Sequence, residues 1–424
     1  MKTREDILQI IEEEDVEFIR LQFVDMFGNL KNIAVTPSQL DRVLNNEYFF
    51  EGSALFDQQY SSDEEYYLKP DLDSFVILSW RPQQGRVGKF MCDVVDAEGN
   101  PVALSPRAIL ERTLQLGKDK GYRCMVDSEC EFFLFHTDDN GMPTVIAHEQ
   151  AGYLDVGPAD LGENARREMV LNLEEMGFDI ESSHHEKAPA QHEIDFREGE
   201  GMKTADALVT FKFAVRSIAK RFGLHATFMP KPKMDAAGSG MHLNFSLYKD
   251  GVNIFDEDEN KAKYFVGGVM KYAREMAAIT NPTINSYKRI LSGYKAPREI
   301  NWAKKGENIF AKVRKSFGTT KVELRFPDPS ANPYLALTVC LYAGFIGMKE
   351  KIEPEELVKN WSEEQKYLPD SLKEALNELR KSEFMKKVLG EEFLNIYLEV
   401  KEQEWKEYML QVSDWEINRY LVKL

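Results

Sequence analysis

With 424 residues, 43% of them hydrophobic and 29% charged, the chain is long enough for two or more domains that each bury a core without disulfide or metal staples. A formal net charge of −17, with bases and acids mixed throughout, excludes an extended phosphate-binding surface and hence nucleic acid as an expected partner. Cys92, Cys124, Cys130 and Cys340 show no CxxC spacing, the N-terminus lacks a signal peptide's apolar core, and no apolar run spans a membrane; a cytoplasmic protein with no membrane partner is expected.

Thr3 with Asp6 and the apolar Ile7, Leu8, Ile10 and Ile11 predicts a capped amphipathic helix ending near the acidic run at 12–15. Val16, Phe18, Leu21 and Phe23 read as a strand, residues 25–29 as a turn, and Leu30 to Val35 as the returning strand before a helix start at Thr36-Pro37. Glu51-Gly52-Ser53-Ala54 then leads into a Gln-, Ser-, Asp- and Glu-rich loop that reads as exposed or reserved for a partner. A domain boundary is expected around Gly99-Asn100-Pro101, before a helix opened by Ser105-Pro106, giving domains 1–103 and 104–424.

Beyond it, strands and helices alternate. Residues 129–135 read as a strand, Asp160 with Glu163 as the cap of a helix stopping at Gly177, and Thr204 as the cap of one stopping at Gly223. A glycine turn at 238–240 feeds a strand at 241–247, another strand follows at 321–326, and from Asn332-Pro333 the pattern is mostly helical.

Three of the seven histidines and two carboxylates fall between His184 and Glu193. Most runs of this kind are polar loops. Strand spacing supplies partners, however: residues two apart share a face, so Glu129 projects with Glu131 and Glu323 with Arg325. Phe132, Phe133 and Phe135 follow directly, which takes the paired glutamates toward a core, where carboxylates need a metal or an arginine. Glu129, Glu131, Glu186, Glu193 and Glu323 with His242 form an oxygen-rich set suited to Mg²⁺ or Mn²⁺ and not to structural zinc. Spacing alone does not bring the six together, and a lone histidine beside a glycine turn is more often satisfied by backbone.

The order of Glu129-Cys130-Glu131-Phe132-Phe133, Leu161-Gly162-Glu163-Asn164, Ser183-His184-His185-Glu186 with Gln191-His192-Glu193, Met229-Pro230-Lys231-Pro232, Gly238-Ser239-Gly240-Met241-His242, Asn285-Ser286-Tyr287-Lys288-Arg289 and Ala331-Asn332-Pro333-Tyr334 resembles type I glutamine synthetase over nearly the whole chain. The resemblance implies an α+β fold: a small β-grasp-like N-terminal domain and a larger catalytic domain whose curved antiparallel sheet is flanked by helices. It implies a dodecamer of two six-membered rings with sites between neighbouring subunits. ATP, as co-substrate, phosphorylates the side-chain carboxylate of glutamate, and ammonia displaces the phosphate, with two or more Mg²⁺ or Mn²⁺ ions per site. Carried over by position, Glu131, Glu186 and Glu193 match one metal site, and Glu129, His242 and Glu323 the other. Arg289 and Arg325 match arginines that hold the glutamate carboxylate and the transferring phosphate, Gly238 lines the substrate site, and Ser246, Lys312 and Lys321 fall on the nucleotide side.

The departures cluster at substrate-facing positions. The family's Asp-Gly-Ser-Ser, whose acid helps bind and deprotonate ammonium, reads Glu51-Gly52-Ser53-Ala54. The flap's Pro-Gly-Tyr-Glu-Ala-Pro reads Ser292-Gly293-Tyr294-Lys295-Ala296-Pro297, so its ammonium-shielding glutamate is Lys295. Glu307, Lys312 and Lys321 stand where phosphate-binding arginines are expected, and Lys187 and Lys233 replace apolar residues. Lysine lacks the bidentate fork. Three readings follow: a glutamine synthetase that tolerates these changes, a ligase of the same mechanism using another amine or acid, and a weakly active paralogue acting through a partner.

Overall fold

A computed structural model describes residues 2–56, 64–81, 84–147, 149–316, 318–355 and 366–424. Most of the polar loop expected after Glu51, residues 57–63, lies outside the described residues. The opening helix is Arg4–Glu13, closed at its start by the reciprocal Thr3 and Asp6 bonds of a capping box.

The N-terminal strands are β1 (Val16–Val24), β2 (Leu30–Val35), β3 (Phe49–Glu51), β4 (Glu65–Pro70), β5 (Val76–Ile77) and β6 (Arg86–Val95). They form a sheet of order β2-β1-β6-β4-β3, with β5 also on β6. β1 and β2 are the predicted hairpin, while β1 and β6 run parallel. Ile19, Leu21 and Phe23 alternate inward from β1 and close the core of this layer.

The larger sheet is built from β7 (Arg123–Thr137), β8 (Pro143–Ala147), β9 (Ile180–His185), β10 (Gln191–Glu200), β11 (Leu224–Thr227), β12 (Met241–Lys249), β13 (Val252–Asn253), β14 (Trp302–Ala303), β15 (Ala311–Ser316) and β16 (Thr319–Leu324). Its order is β14-β15-β16-β12-β7-β10-β9, with β8 and β11 on β7 and β13 on β12. All these pairs are antiparallel except β14 with β15, and the fold is α+β.

The long strand β7 organises this sheet. Val126, Ser128, Cys130, Phe132 and Leu134 alternate into the core, where Phe132 meets Phe211 of the helix Gly201–Arg221. The intervening Asp127, Glu129 and Glu131 therefore share the opposite face. Behind the sheet, the helices Glu259–Thr280 and Pro333–Glu350 meet at glycines: a Cβ on Gly268 would lie 2.1 Å from the carbonyl oxygen of Ala343. Only that absent side chain lets the two backbones approach so closely.

Two caps differ from expectation. The helix Glu163–Glu175 starts behind Gly162, and Asp160 instead accepts from Arg166 at 2.7 Å. A buried carboxylate gains more from a guanidinium than from an exposed helix end. Thr204 lies inside Gly201–Arg221, and its hydroxyl donates to the Val126 carbonyl at 2.9 Å, tying the helix to β7. Gly177 and Gly223 do follow their helices with positive φ, as C-terminal glycines. After Pro333–Glu350, the described chain continues as helices Leu372–Lys381, Glu383–Leu389, Glu391–Met409 and Asp414–Tyr420. No helix among the described residues is long and apolar enough to cross a membrane.

Candidate active site

Strand register assembles the site. β12 sets His242 opposite Glu129, β10 sets Glu193 opposite Glu131, β9 sets His184 opposite Glu193, and β16 sets Glu323 opposite Asn244. Neighbouring strands lie only ~4.8 Å apart, so residues remote in sequence become contacts. Ligand-capable atoms of Glu129, His242 and Glu323 lie within 4.8 Å of one another, and so do those of His184, Glu186 and Glu193. Glu131, beside Glu193, accepts from the Gly240 amide at 2.7 Å and from the Gln191 side chain at 3.1 Å. His184, absent from the set of six expected ligands, thus belongs with one of the two groups. Only the β9–β10 pairing reveals this.

Glu129, Glu131, His184, Glu186, Glu193 and His242 line a cavity of 510 Å³ together with Gly238, Arg289 and Arg325, and Glu323 stands behind its wall, bonded to Arg325. Arg289 donates to the carbonyls of Phe326 at 3.0 Å and Arg325 at 3.2 Å, which fixes its guanidinium in the cavity wall. Arg325 donates to Glu323 at 2.5 Å, and Arg314 to Glu129 at 2.7 Å. Gly238 is required sterically, because a Cβ there would lie 2.4 Å from the Pro230 carbonyl oxygen and 3.1 Å from Arg289.

The turn between β9 and β10 is braced from behind. Ala190 adopts φ +67°. Glu149 accepts from the amides of Ala190 and Ala151 and from His185 Nε2 at 2.9 Å, while His185 Nδ1 donates to the Glu186 carbonyl at 2.6 Å. Against the cost of burial, the bond to Glu149 raises the His185 pKa. A third cluster, Asp160, His185 and His192, already holds a cation: Arg166 lies 2.7 Å from Asp160 and 2.8 Å from His192 Nδ1. It is a scaffold behind the turn.

Charge on the two metal-capable groups differs. Burial and then the nearby Glu186 push Glu131 up to about 8; burial and then Glu131 hold Glu193 well above the carboxylate range, and burial raises Asp195 to about 7. On the other side, despite burial, the bond from His242 and the charge of Arg314 keep Glu129 well below its ordinary value. Crowded acids with raised pKa values are the arrangement a divalent cation relieves. Glu323 Oε2 is also buried, and its near neighbour is the Arg314 guanidinium, with Nε at 2.9 Å. The residues present therefore fit hard divalent cations bound through oxygen, with one imidazole.

The whole chain is similar to known proteins with the same architecture. The glutamine synthetase beta-Grasp domain matches residues 15–97, and the glutamine synthetase catalytic domain matches residues 103–420. Glutamine synthetase of Clostridium saccharobutylicum is 47% identical over 438 residues, covering 99% of both chains. The chain belongs to the glutamine synthetase family. Glutamine synthetase of Staphylococcus aureus strain N315 is 44% identical over 437 residues, covering 99% of this chain and 98% of its own. Among solved structures, a GmaS/ADP complex matches with TM-score 0.89 at 29% identity, covering 98% of this chain and 99% of that one, and an apo GmaS structure matches with TM-score 0.88 at 28% identity, covering 99% and 100%.

Against that family pattern, the substituted positions have definite surroundings. Lys295 and Glu307, both expected from the resemblance to be departures, are partners: Lys295 Nζ lies 2.6 Å from Glu307 Oε1. Lys295 also lines the cavity, next to Lys187. The hydrogen bond to Glu307 raises the Lys295 pKa, while burial and then Lys295 lower that of Lys187. Lys312 lies 3.5 Å from Glu323. Lys321 pairs with Asp127 and lies 3.6 Å from Glu198, which also accepts from Ser246 at 2.8 Å. Lys312, Lys321 and Ser246 are outside the lining of the 510 Å³ cavity, further along the same sheet face as His242 and Asn244. Glu51 is exposed at the end of β3 and is also outside it.

Metal uptake near neutral pH is expected to release protons. With its pKa at about 8, Glu131 retains its proton over much of the range where an ordinary glutamic acid is ionised, and a cation can take up its lone pairs only once that proton leaves. Adding Mg²⁺ or Mn²⁺ to weakly buffered metal-free protein at pH 7 should acidify the solution, less so above pH 8. Binding with no proton release at pH 7 would contradict this ionisation pattern.

Proposed function

We propose that the chain is a glutamate–ammonia ligase that uses ATP to phosphorylate the glutamate side chain and releases phosphate when ammonia takes its place. The observation that carries this reading is the cavity itself: its walls carry carboxylates of both metal-capable groups together with the buried Arg289 and the half-buried Arg325. The 47% identity to a glutamine synthetase supports the substrates, and the ADP in the GmaS complex supports an adenine nucleotide.

In this reading Glu131, Glu186 and Glu193 hold one divalent cation and Glu129, His242 and Glu323 the other, with His184 beside the first set. Mg²⁺ or Mn²⁺ bound there would offset charge on the transferring phosphoryl oxygens. Arg289 holds the glutamate carboxylate in the cavity wall reserved by Gly238. Arg325, held at 2.5 Å from Glu323, stabilises the transferring phosphate. Lys312, Lys321 and Ser246 lie toward the nucleotide. Glu51 comes from a neighbouring copy and takes the proton that ammonium must lose, and Lys295 closes the flap over the acyl phosphate. Loss of that phosphate to water competes with ammonia, so excluding water belongs to the chemistry.

The same reading divides the chain into domains 1–103 and 104–424, places it in the cytoplasm and assembles it as a dodecamer. Four free, buried cysteines support a reducing compartment. An apolar tail, in which Leu410, Val412, Trp415, Leu421 and Val422 are exposed, supports assembly with further copies. Purified protein with ATP, glutamate, ammonium and Mg²⁺ or Mn²⁺ should form glutamine and phosphate in equal amounts, at a native mass of twelve chains. Turnover absent with every metal overturns the activity, and a monomer in solution overturns the shared site.

A further inference from the structure

A separate cavity of 620 Å³ lies between the two domains. One side is the β1–β2 hairpin and the other is the helix Gly201–Arg221 with residues 227–230, 283–285 and 329–333. Arg20, Lys212 and Arg216 line it, and its lining contains no carboxylate, in a chain of 71 acidic and 54 basic residues. What these cations touch instead is neutral. Arg20 lies 5.9 Å from the centre of the Phe213 ring, Arg216 lies 5.2 Å from that of Phe228, and Lys212 donates to the Ala331 carbonyl at 3.2 Å. Burial lowers the pKa of all three, that of Lys212 to about 8 despite the opposing charge of Asp328 outside the lining. Gln22, Asn32 and Asn285 add amide groups around them.

We infer that this interdomain cavity binds a small organic or inorganic polyanion, a di- or tricarboxylate or a phosphate, through Arg20, Lys212 and Arg216. Two guanidinium forks and an ammonium match the oxygens of such groups, and the volume suits a metabolite-sized ligand. The cavity shares a wall with the active site. Asn285 receives the Lys231 amide at 2.6 Å and donates to its carbonyl at 2.9 Å, from the helix Ile284–Leu291 that also carries Arg289. Pro230, also in the lining, accepts from the Ser239 amide at 2.8 Å, and its carbonyl sets the space available to Gly238. An anion drawing Arg20 toward Lys212 and Arg216 fixes that wall, so it acts as an effector of the substrate cavity.

The binding step does not depend on the ligase reading, and calorimetry on the assembled full-length protein tests it without turnover. Succinate, citrate and inorganic phosphate are the probes. At least one should bind, about tenfold or more weaker in both Arg20→Gln and Arg216→Gln, unchanged in Arg325→Gln, and largely retained in Arg216→Lys. Its presence should shift the apparent glutamate affinity about fivefold or more in wild type and not in Arg216→Gln. Melting curves confirm that each variant is folded. Binding of none of the three, as when a neighbouring copy fills the cavity, overturns the inference; so does binding lost only with Arg325→Gln, or binding indifferent to Arg20 and Arg216.

Discussion

Exchanging the charges of Lys295 and Glu307 together is expected to restore what either exchange alone removes. The two side chains meet at 2.6 Å across the mouth of the cavity, one from the loop at 292–297 and the other from the loop at 304–310. Lys295 sits at φ +58°, a left-handed conformation that a residue with a side chain keeps only when its surroundings hold it there. Lys295→Glu would face Glu307, and Glu307→Arg would face Lys295, so each single change sets like charges against each other and opens the flap. An isolated exposed ion pair contributes little to stability, so the effect belongs in activity and not in melting temperature. Each single variant should lose about tenfold in kcat/KM for ammonium, and the double variant should recover most of it, a coupling within the range of contacting residues. Independent, multiplicative losses in the double variant would show that the pair does not act as a latch. With Glu307 attached, Lys295 presents a dipole to the cavity in place of a bare cation.

Glu323→Gln is expected to cost both stability and activity. Glu323 is buried, with Arg325 at 2.5 Å, Arg314 at 2.9 Å and Lys312 at 3.5 Å. Removing its charge leaves these cations facing one another in a partly desolvated pocket. Breaking a buried ion pair costs about 3–5 kcal/mol; because Arg314 is 36% exposed, about 3 kcal/mol or less is expected here by denaturant titration of the metal-free protein. Despite burial, the charges of His242 and Arg314 hold the Glu323 pKa below its ordinary value. Its contribution is therefore present above the unfolded-state pKa and lost as pH falls through the folded value, so wild type and variant should converge in acid. Turnover should fall at least about 100-fold, beyond the loss typical of residues that only support a metal ligand, with more Mg²⁺ or Mn²⁺ needed for half-maximal rate. A variant as stable as wild type at neutral pH, with unchanged metal dependence, would remove Glu323 from both roles.

Much of the site was legible because strand periodicity and side-chain chemistry are local. Glu129 and Glu131 stand two apart with phenylalanines following, and this alone placed them on one face of a strand entering a core; β7 has that face. The helix caps were less legible. Asp160 and Thr204 both have the right chemistry for a cap, and both are drawn away by tertiary partners, Arg166 and the Val126 carbonyl, that no local pattern contains. His184 was passed over for the same reason, since its place beside Glu193 comes from pairing between strands.

By itself, then, the sequence determined the residue types for oxygen-rich metal binding, the strand faces they occupy and, through motifs spread along its length, the family. Each of these depends on neighbours two to four positions away or on order along the chain. Tertiary structure decided which charges meet. It set Lys295 against Glu307, gathered three cations around Glu323, and brought Arg20, Lys212 and Arg216 to one cavity whose lining holds no carboxylate. Such pairings join residues from separate strands, loops and domains, and electrostatic energy depends on distance in space, which sequence separation does not record.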